Sequence, residues 1–207
     1  MDRNAEVKIV TVGGLSTNCY LVGYPEGKAF IVDPGDEPEK IEKEINKNKF
    51  SPVFIINTHG HIDHIKADAY FGLPVYIHKK DAPLLKDSEL NLSSFLGFPF
   101  VLDSKTEVFE LEDKDTIDFL GERIEVVHTP GHTLGGICLK FQEFLFSGDT
   151  LFYRSVGRTD IKGGDHPLLI ESIKEKLFCL DDNLTVFPGH GPKTLLGGEK
   201  RMNPFLV

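Results

Sequence analysis

The chain has 207 residues, with 23 basic and 32 acidic side chains, so its formal net charge is −9. Forty per cent of the residues are hydrophobic, which is typical of a soluble globular protein, and the length predicts a single domain over residues 1–207. The excess of acidic residues argues against nucleic-acid binding. No apolar run is long enough for a membrane span, and residues 1–6 do not resemble a leader, so we expect no membrane association. The three cysteines are far apart in the sequence, which fits a cytoplasmic protein.

The first half of the sequence predicts strands separated by short helices. Apolar or β-branched runs between Gly and Pro signals predict strands at Val7–Val12, Cys19–Gly23, Ala29–Val32, Val53–Asn57 and Pro74–His78. A helix is expected after the third strand, with Asp36 as its N-cap and with Ile41 and Ile45 as its apolar stripe. Another helix is expected over Asp63–Tyr70, and two short helices are expected within residues 80–105.

The second half is richer in predicted strands. They are Val108–Leu111, Thr116–Phe119, Ile124–His128, Ile137–Phe141 and Glu143–Ser147. A helix should begin near Asp165 and His166, with an apolar stripe formed by Leu169, Ile170, Ile173 and Leu177. The last predicted strand is Thr185–Phe187. This order of elements predicts sheet layers covered by helices.

A dense histidine motif, Thr58-His59-Gly60-His61-Ile62-Asp63-His64, follows the buried strand that ends at Asn57. Residues two apart in an extended segment point the same way, so His59 and His61 can share one metal ion. Asp63 and His64 stand where the chain enters a helix, and they can face a second ion beside the first. Imidazole and carboxylate ligands together suit zinc, iron or manganese better than calcium.

Further ligands must come from other loops, because this loop alone cannot complete a site for two ions. Three candidates follow predicted strands, and each stands beside a glycine, which suits a tight turn. They are His132 in Thr129-Pro130-Gly131-His132-Thr133, Asp149 in Ser147-Gly148-Asp149-Thr150, and His190 in Pro188-Gly189-His190-Gly191.

Several other polar residues have simpler interpretations. His128 is expected to pack or to support a ligand, although it competes with His132 by position, and Asp33 is expected to stabilise a turn or to support a ligand. His78 is interpreted as a histidine at the solvent edge, and His166 as a structural residue at a helix start.

Two groups of apolar residues also need an interpretation. The cysteines Cys19, Cys138 and Cys179 are expected to be buried small hydrophobes. A second group is the apolar cluster of Phe95, Leu96, Phe98 and Phe100. We expect this cluster to pack in the core, and the alternative is that it forms the wall of a substrate pocket.

The motifs THGHIDH, TPGHT, SGDT and PGHG, in this order, resemble those of the metallo-β-lactamase superfamily, and its glyoxalase-II-like (hydroxyacylglutathione hydrolase-like) branch in particular. Further similar stretches are Thr17–Tyr20, Ile31–Gly35, Gly157–Asp160 and Glu199–Phe205. The resemblance implies an α/β fold, a four-layer αββα sandwich with a metal site at one edge of the two sheets. It implies that one ion is bound by His59, His61 and His132, a second by Asp63, His64 and His190, and that Asp149 bridges them.

Two divalent ions about 3.5–4 Å apart can hold a hydroxide at neutral pH. We expect both ions to be zinc, with iron or manganese as the alternatives. We therefore expect attack of this hydroxide on a small-molecule thioester or ester, with Asp63 orienting it or taking its proton. A thiolate can leave without a proton, which favours thioesters such as 2-hydroxyacyl-glutathione. The resemblance implies that Arg158 binds the glutathione part, although Asp160 stands where relatives can carry a tyrosine.

Alternative functions differ in metal content or in substrate. A persulfide dioxygenase-like enzyme would use a single iron, and an ester or lactone hydrolase of the same fold would keep the metal pair. A nuclease is disfavoured by the acidic charge. A non-catalytic metal-binding module would retain metal without turnover.

Overall fold

The computed structural model describes residues 5–207. The prediction that residues 1–6 carry no leader therefore falls largely on residues 1–4, which lie outside the described residues. The chain divides into two compact units. The first comprises the residues up to Ile77 together with Pro83–Glu110, and the second comprises His78–Ala82 together with Leu111–Val207. A single domain over residues 1–207 stays a prediction. None of the helices within residues 5–207 has the length and apolar character needed to cross a membrane.

The N-terminal half of the described chain forms a mixed sheet of six strands. In sheet order they are β1 (Glu6–Val12), β2 (Thr17–Gly23), β3 (Lys28–Val32), β4 (Ser51–Ile56), β5 (Val75–His78) and β6 (Val108–Leu111). β1, β2 and β3 pair antiparallel, whereas β3, β4 and β5 run parallel. Because parallel strands end at the same edge of a sheet, the loops that follow β3 and β4 emerge side by side.

Helix α1 (Pro38–Asn48) covers this sheet with its apolar stripe. Ile41 and Ile45 are buried, and they belong to the same core cluster as residues of β1 to β5. The prediction that Asp36 caps the helix is wrong, because the N-cap is Glu37 in a left-handed conformation (φ 46°). The Glu37 carboxylate accepts a hydrogen bond from Gly13 N at 2.9 Å, a contact between distant residues that the local sequence does not reveal.

The helix predicted over Asp63–Tyr70 is interrupted. Helix α2 (Ile62–Ile65) is a single turn, and a separate 3₁₀ turn follows over Asp68–Phe71. Two bonds to other segments break the helix: Ala67 N donates to Pro34 O at 2.9 Å, and Asn57 Nδ2 donates to His64 O at 3.3 Å. The two short helices expected within residues 80–105 are 3₁₀ turns, at Ala82–Lys86 and Ser94–Leu96.

The C-terminal half of the described chain forms a second mixed sheet of six strands. In sheet order they are β14 (Thr194–Leu195), β13 (Thr185–Pro188), β10 (Phe144–Gly148), β9 (Ile137–Phe141), β8 (Glu122–His128) and β7 (Thr116–Phe119). Strands β11 (Leu151–Phe152) and β12 (Ser155–Val156) form a small separate hairpin. β10 and β13 are parallel neighbours, so the residues that follow them emerge at one edge.

Two helices accompany this sheet. Helix α3 (His166–Ser172) begins as predicted, because the Asp165 side chain caps it by accepting a hydrogen bond from Leu168 N at 3.0 Å. The expected stripe packs into the core of the second unit, although Ile170 is only half-buried. The prediction that Thr185–Phe187 is the last strand is wrong, since β14 and α4 (Leu196–Met202) follow it.

Two expectations about apolar residues also need correction. Core packing is the wrong interpretation for Phe95, Leu96 and Phe98, because Phe95 is 84% exposed and the other two are about half exposed. Phe100 is half-buried. Two of the cysteines are buried as expected, whereas Cys179 is exposed.

Candidate metal centre

The histidine motif runs from the loop after β4 into helix α2 in the first unit. The rings of His59 and His61 lie 4.7 Å apart, and those of His59 and His64 lie 4.1 Å apart. Asp63 follows in the first turn of α2, and its Oδ2 lies 3.5 Å from Nε2 of His64. The three histidines are buried and the aspartate is partly exposed, so the loop presents imidazole and carboxylate groups that can each offer a metal ligand atom.

Buried Asp33, which directly follows β3, orients this loop. Its Oδ2 lies 2.9 Å from Nδ1 of His64, and because a carboxylate only accepts, Nδ1 donates and Nε2 is the nitrogen left to bind a metal. Thr58 donates to the same carboxylate through its backbone N–H and its hydroxyl, each at 2.7 Å. These contacts fit the expectation that Asp33 stabilises a turn or supports a ligand, and the ligand role of His64 stays a prediction.

Two further polar contacts also fix the orientation of the motif. Thr17 Oγ1 donates to Asp63 Oδ2 at 2.9 Å, and Thr58 Oγ1 lies 3.2 Å from Nδ1 of His59. Deeper in the unit, burial raises the pKa of Asp68 well above its usual range, although a hydrogen bond from Asn57 opposes this shift. The sequence patterns assigned no role to the side chains of Thr17 and Thr58, although both residues lie within the motifs described above.

The second unit presents the other three predicted ligands at one edge of its sheet. Asp149 follows β10, His190 follows β13, and His132 lies in the loop between β8 and β9. Asp149 Oδ2 lies 3.6 Å from Nε2 of His132 and 3.5 Å from Nε2 of His190. A single carboxylate oxygen therefore faces two imidazole nitrogens, as a bridging ligand would.

Hydrogen bonds to Arg158 and Asp81 hold the His132 loop within the second unit. Nδ1 of His132 donates to the backbone carbonyl of Arg158 at 2.7 Å, which directs Nε2 towards Asp149. Buried Asp81 accepts from the Thr133 hydroxyl and from Gly135 N, both at 2.7 Å. Nothing in the sequence pattern around Asp81 points to this role, because its partners lie more than fifty residues further along the chain.

The donor atoms within each unit fit a divalent metal ion. Two ligands bound at 2.0–2.1 Å to a tetrahedral ion lie about 3.3 Å apart. The imidazole-to-carboxylate separations of 3.5–3.6 Å are close to this value, and they are too long for strong hydrogen bonds. The side chains are thus spaced as ligands of a metal ion rather than as partners of one another.

Glycines allow close backbone approach behind both carboxylates that are predicted to be ligands. A Cβ atom at Gly35 would lie 1.6 Å from the backbone oxygen of Asp63, and one at Gly157 would lie 1.8 Å from that of Asp149. Neither position has room for any side chain. The backbone of each aspartate therefore packs directly against the backbone of a glycine in a neighbouring loop.

Arg158, the predicted substrate-binding residue, is exposed and engaged by its neighbour. Its Nε and one terminal nitrogen donate to the Asp160 carboxylate at 2.8 and 2.9 Å. This ion pair raises the pKa of Arg158 and lowers that of Asp160. A substrate anion at Arg158 would therefore compete with Asp160, and substrate binding by Arg158 stays a prediction.

His78 and His128 form a buried stack in the second unit. Their rings are 4.0 Å apart and nearly parallel, and His128 Nε2 lies 3.0 Å from Leu134 O. The expectation that His128 packs is confirmed, whereas the solvent-edge interpretation of His78 is wrong, because this side chain is buried. Burial lowers the pKa of His78 to about 4 and also lowers that of His128. His166 is exposed at the start of α3.

Comparison with known proteins places this geometry in a family. Residues 12–190 match the metallo-beta-lactamase superfamily. The chain is 32% identical over 206 residues to the hydroxyacylglutathione hydrolase GloC of Haemophilus influenzae, with 97% of each protein covered. Among solved structures it is similar to the BLEG-1 B3 metallo-beta-lactamase, with a TM-score of 0.91, 37% identity and coverage of 98% of this chain and 100% of that one.

A second solved structure is also similar to this chain. TTHA1623 in a di-iron-bound form shares 38% identity with this chain at a TM-score of 0.82, with 97% of this chain and 100% of that one covered. The fold class predicted from the sequence is confirmed by these matches, and the clustered His and Asp side chains fit divalent metal binding. The chain therefore belongs to the metallo-β-lactamase superfamily of metallo-hydrolases.

Proposed function

We propose that this protein is a binuclear metal-dependent hydrolase that cleaves small-molecule thioesters. The proposed ligands are His59, His61 and His132 for one ion, Asp63, His64 and His190 for the other, and Asp149 as the bridge. The observation that carries the proposal is the placement of Asp149, whose Oδ2 lies 3.5–3.6 Å from two imidazole nitrogens. The family match over residues 12–190 supports it, because the matched range contains all seven proposed ligands.

Each residue of the site has a separate task in this proposal. Two divalent ions, when bound, would supply Lewis acidity and a hydroxide nucleophile at neutral pH. Asp63 orients the attacking water and accepts its proton at the carboxylate, in addition to its role as a ligand. Thr17 holds that carboxylate through Oδ2, and Asp33 keeps a proton on Nδ1 of His64 so that Nε2 remains a ligand.

The leaving group decides in favour of a thioester. A thiolate, whose parent thiol has a pKa near 8.5, departs without a proton, whereas an amine needs a general acid. The relative named hydroxyacylglutathione hydrolase supports 2-hydroxyacyl-glutathione as a substrate to test first. We also propose that Arg158 binds a carboxylate in the thiol part of the substrate, and that this carboxylate replaces Asp160 as its partner.

Hydrolysis of β-lactams is a second candidate, because the chain is 37% identical to the BLEG-1 B3 metallo-beta-lactamase. The same two ions, when bound, would supply the hydroxide for attack on the lactam carbonyl carbon. The leaving nitrogen then needs a proton, and Asp63 is the group in the first unit that would carry the proton taken from water. This route demands one more proton transfer than thioester cleavage does.

The test combines elemental analysis with a substrate panel. The protein is purified without chelator, its metal content is measured, and 2-hydroxyacyl thioesters, simple esters, lactones and a chromogenic cephalosporin are assayed at equal concentration. We expect about two transition-metal ions per chain and the highest kcat/KM for thioesters. Turnover of the cephalosporin alone supports the second candidate. A single iron that persists after metal addition, with oxygen uptake on a persulfide, contradicts both hydrolase proposals.

A further inference from the structure

A cavity of about 280 Å³ opens in the first unit beside Asp63. Its walls come from the turn between β1 and β2, the loop after β3, helix α2 and the segment around Leu96. The apolar lining residues are Val12, Leu15, Ile62, Leu96 and Phe98. Because Asp63 is both a lining residue and a proposed metal ligand, a molecule in the cavity would touch the proposed reaction centre.

The apolar walls are only partly covered in the structure. Val12 and Ile62 are buried at the base, whereas Leu15, Leu96 and Phe98 are 46–55% exposed. Exposed apolar side chains around a concave site mark a place where a ligand removes apolar surface from water. The cavity is slightly smaller than the usual pocket for a whole small molecule, about 300–1,000 Å³, so it suits one part of a substrate.

The charged side chains of the lining are paired with protein groups. Lys66 Nζ lies 2.8 Å from Asp36 Oδ2, and the same ammonium group lies 5.3 Å from the centre of the Phe98 ring. A negatively charged substrate group would have to compete with Asp36 for Lys66. The pocket therefore favours an uncharged apolar group over an anionic one.

We infer that this cavity is the acyl pocket of the enzyme and that its preferred substrates carry an uncharged apolar acyl chain or ring. The inference rests on the proposed function, since it assigns the acyl part of the thioester to the pocket beside Asp63. Phe98 and Leu96 are the specificity-determining residues, because they form the exposed apolar wall that a longer acyl group would cover.

The test uses thioesters that share one thiol and differ in the acyl group: acetyl, butanoyl, hexanoyl and succinyl. We expect kcat/KM to rise about fourfold for each methylene that becomes buried, until the pocket is full. The succinyl thioester, whose acyl group is anionic, should be the poorest substrate of its length. A binding series with the N-methyl amides of the same acids, followed by NMR shifts, measures the pocket without turnover.

Phe98→Ala and Phe95→Ala form a matched pair of variants. Both phenylalanines are exposed and lie in one loop, but only Phe98 lines the cavity. Phe98→Ala should lower kcat/KM and amide binding for the hexanoyl group about threefold to tenfold more than for the acetyl group. Leu96→Ala should act in the same direction. Phe95→Ala should match the parent protein throughout.

The outcomes separate the pocket from the reaction. If no thioester is cleaved but amide binding still strengthens with chain length and weakens in Phe98→Ala, the acyl pocket stands and the proposed function fails. If thioesters are cleaved without any dependence on acyl length, the function stands and the acyl pocket is overturned. Equal losses in Phe98→Ala and Phe95→Ala also overturn the pocket assignment.

Discussion

Replacement of Asp33 by asparagine tests how the protein prepares a metal ligand. The substitution preserves the shape of the side chain, and asparagine tolerates the left-handed conformation that Asp33 adopts (φ 51°). The amide oxygen can still accept from Thr58 N. The amide nitrogen, however, replaces an oxygen that accepts from both His64 Nδ1 and the Thr58 hydroxyl. His64 then gains by moving its proton to Nε2, which is the nitrogen that the metal requires.

The size of the effect follows from these contacts. Loss of a partner that orients a metal-bound histidine typically weakens metal affinity 10–100-fold, which corresponds to about 1.4–2.7 kcal/mol. A lost buried hydrogen bond to a charged group should also lower the free energy of unfolding of the metal-free protein by about 1.5–3 kcal/mol. We therefore expect Asp33→Asn to bind at least one zinc ion 10–100-fold more weakly and to unfold at a lower urea concentration.

The assay is a zinc titration of metal-free protein in competition with a chromophoric chelator. Asp36→Asn is the control, because Asp36 lies three residues further along the same loop and bonds to Glu37 N and Lys66 instead of to a histidine. Its zinc affinity should equal that of the parent. An unchanged affinity in Asp33→Asn, or an equal loss in the control, would refute the orienting role of Asp33.

Three further predictions follow from other contacts. Asp149→Ala should reduce the metal content from about two ions per chain to less than one, because one oxygen faces both His132 and His190; full occupancy by elemental analysis would contradict the bridge. Arg158→Ala should raise KM for anionic thioesters more than for neutral ones. The difference should correspond to less than about 1 kcal/mol of binding free energy, because the exposed guanidinium is already paired with Asp160. An equal effect on both substrate types would leave Arg158 without a role in binding. The buried His78 has a pKa lowered from 6.5 to about 4, so the unfolded chain binds a proton that the folded chain does not, and stability should fall as the pH drops from about 6.5 to 4. Urea unfolding should show a shallower pH dependence in His78→Phe than in the parent, with a difference of roughly 2–3 kcal/mol at pH 4, and parallel curves would count against this explanation.

The strands and the candidate ligands were accessible from the sequence because their signals are local. Runs such as Val53-Phe54-Ile55-Ile56 have the composition of a buried strand, and the structure has β4 there. The ligand candidates are polar residues placed directly after such strands. Parallel pairing of β10 with β13 then brings Asp149 and His190 to one sheet edge, which follows from topology rather than from either motif alone.

The errors arose where distant contacts override local preference. Asp36 has the residue type and spacing of an N-cap, but the contact of Glu37 with Gly13 moves the helix start by one residue. His78 precedes two lysines, which suggested solvent, whereas its stacking partner His128 lies far along the chain. The apolar residues around Phe98 carry the same local pattern whether they fill a core or line a pocket, so the pattern could not distinguish these environments.

The backbone contacts of Gly35 and Gly157 have a consequence for how this protein would respond to random mutagenesis. Neither glycine has a group that could bind a metal or transfer a proton, yet any side chain there would overlap the backbone that carries Asp63 or Asp149. In a screen that scores only activity, both positions should be as intolerant as the ligands themselves. Intolerance to substitution at this centre thus reports steric room as well as chemistry, and only metal-binding measurements on folded variants can tell the two apart.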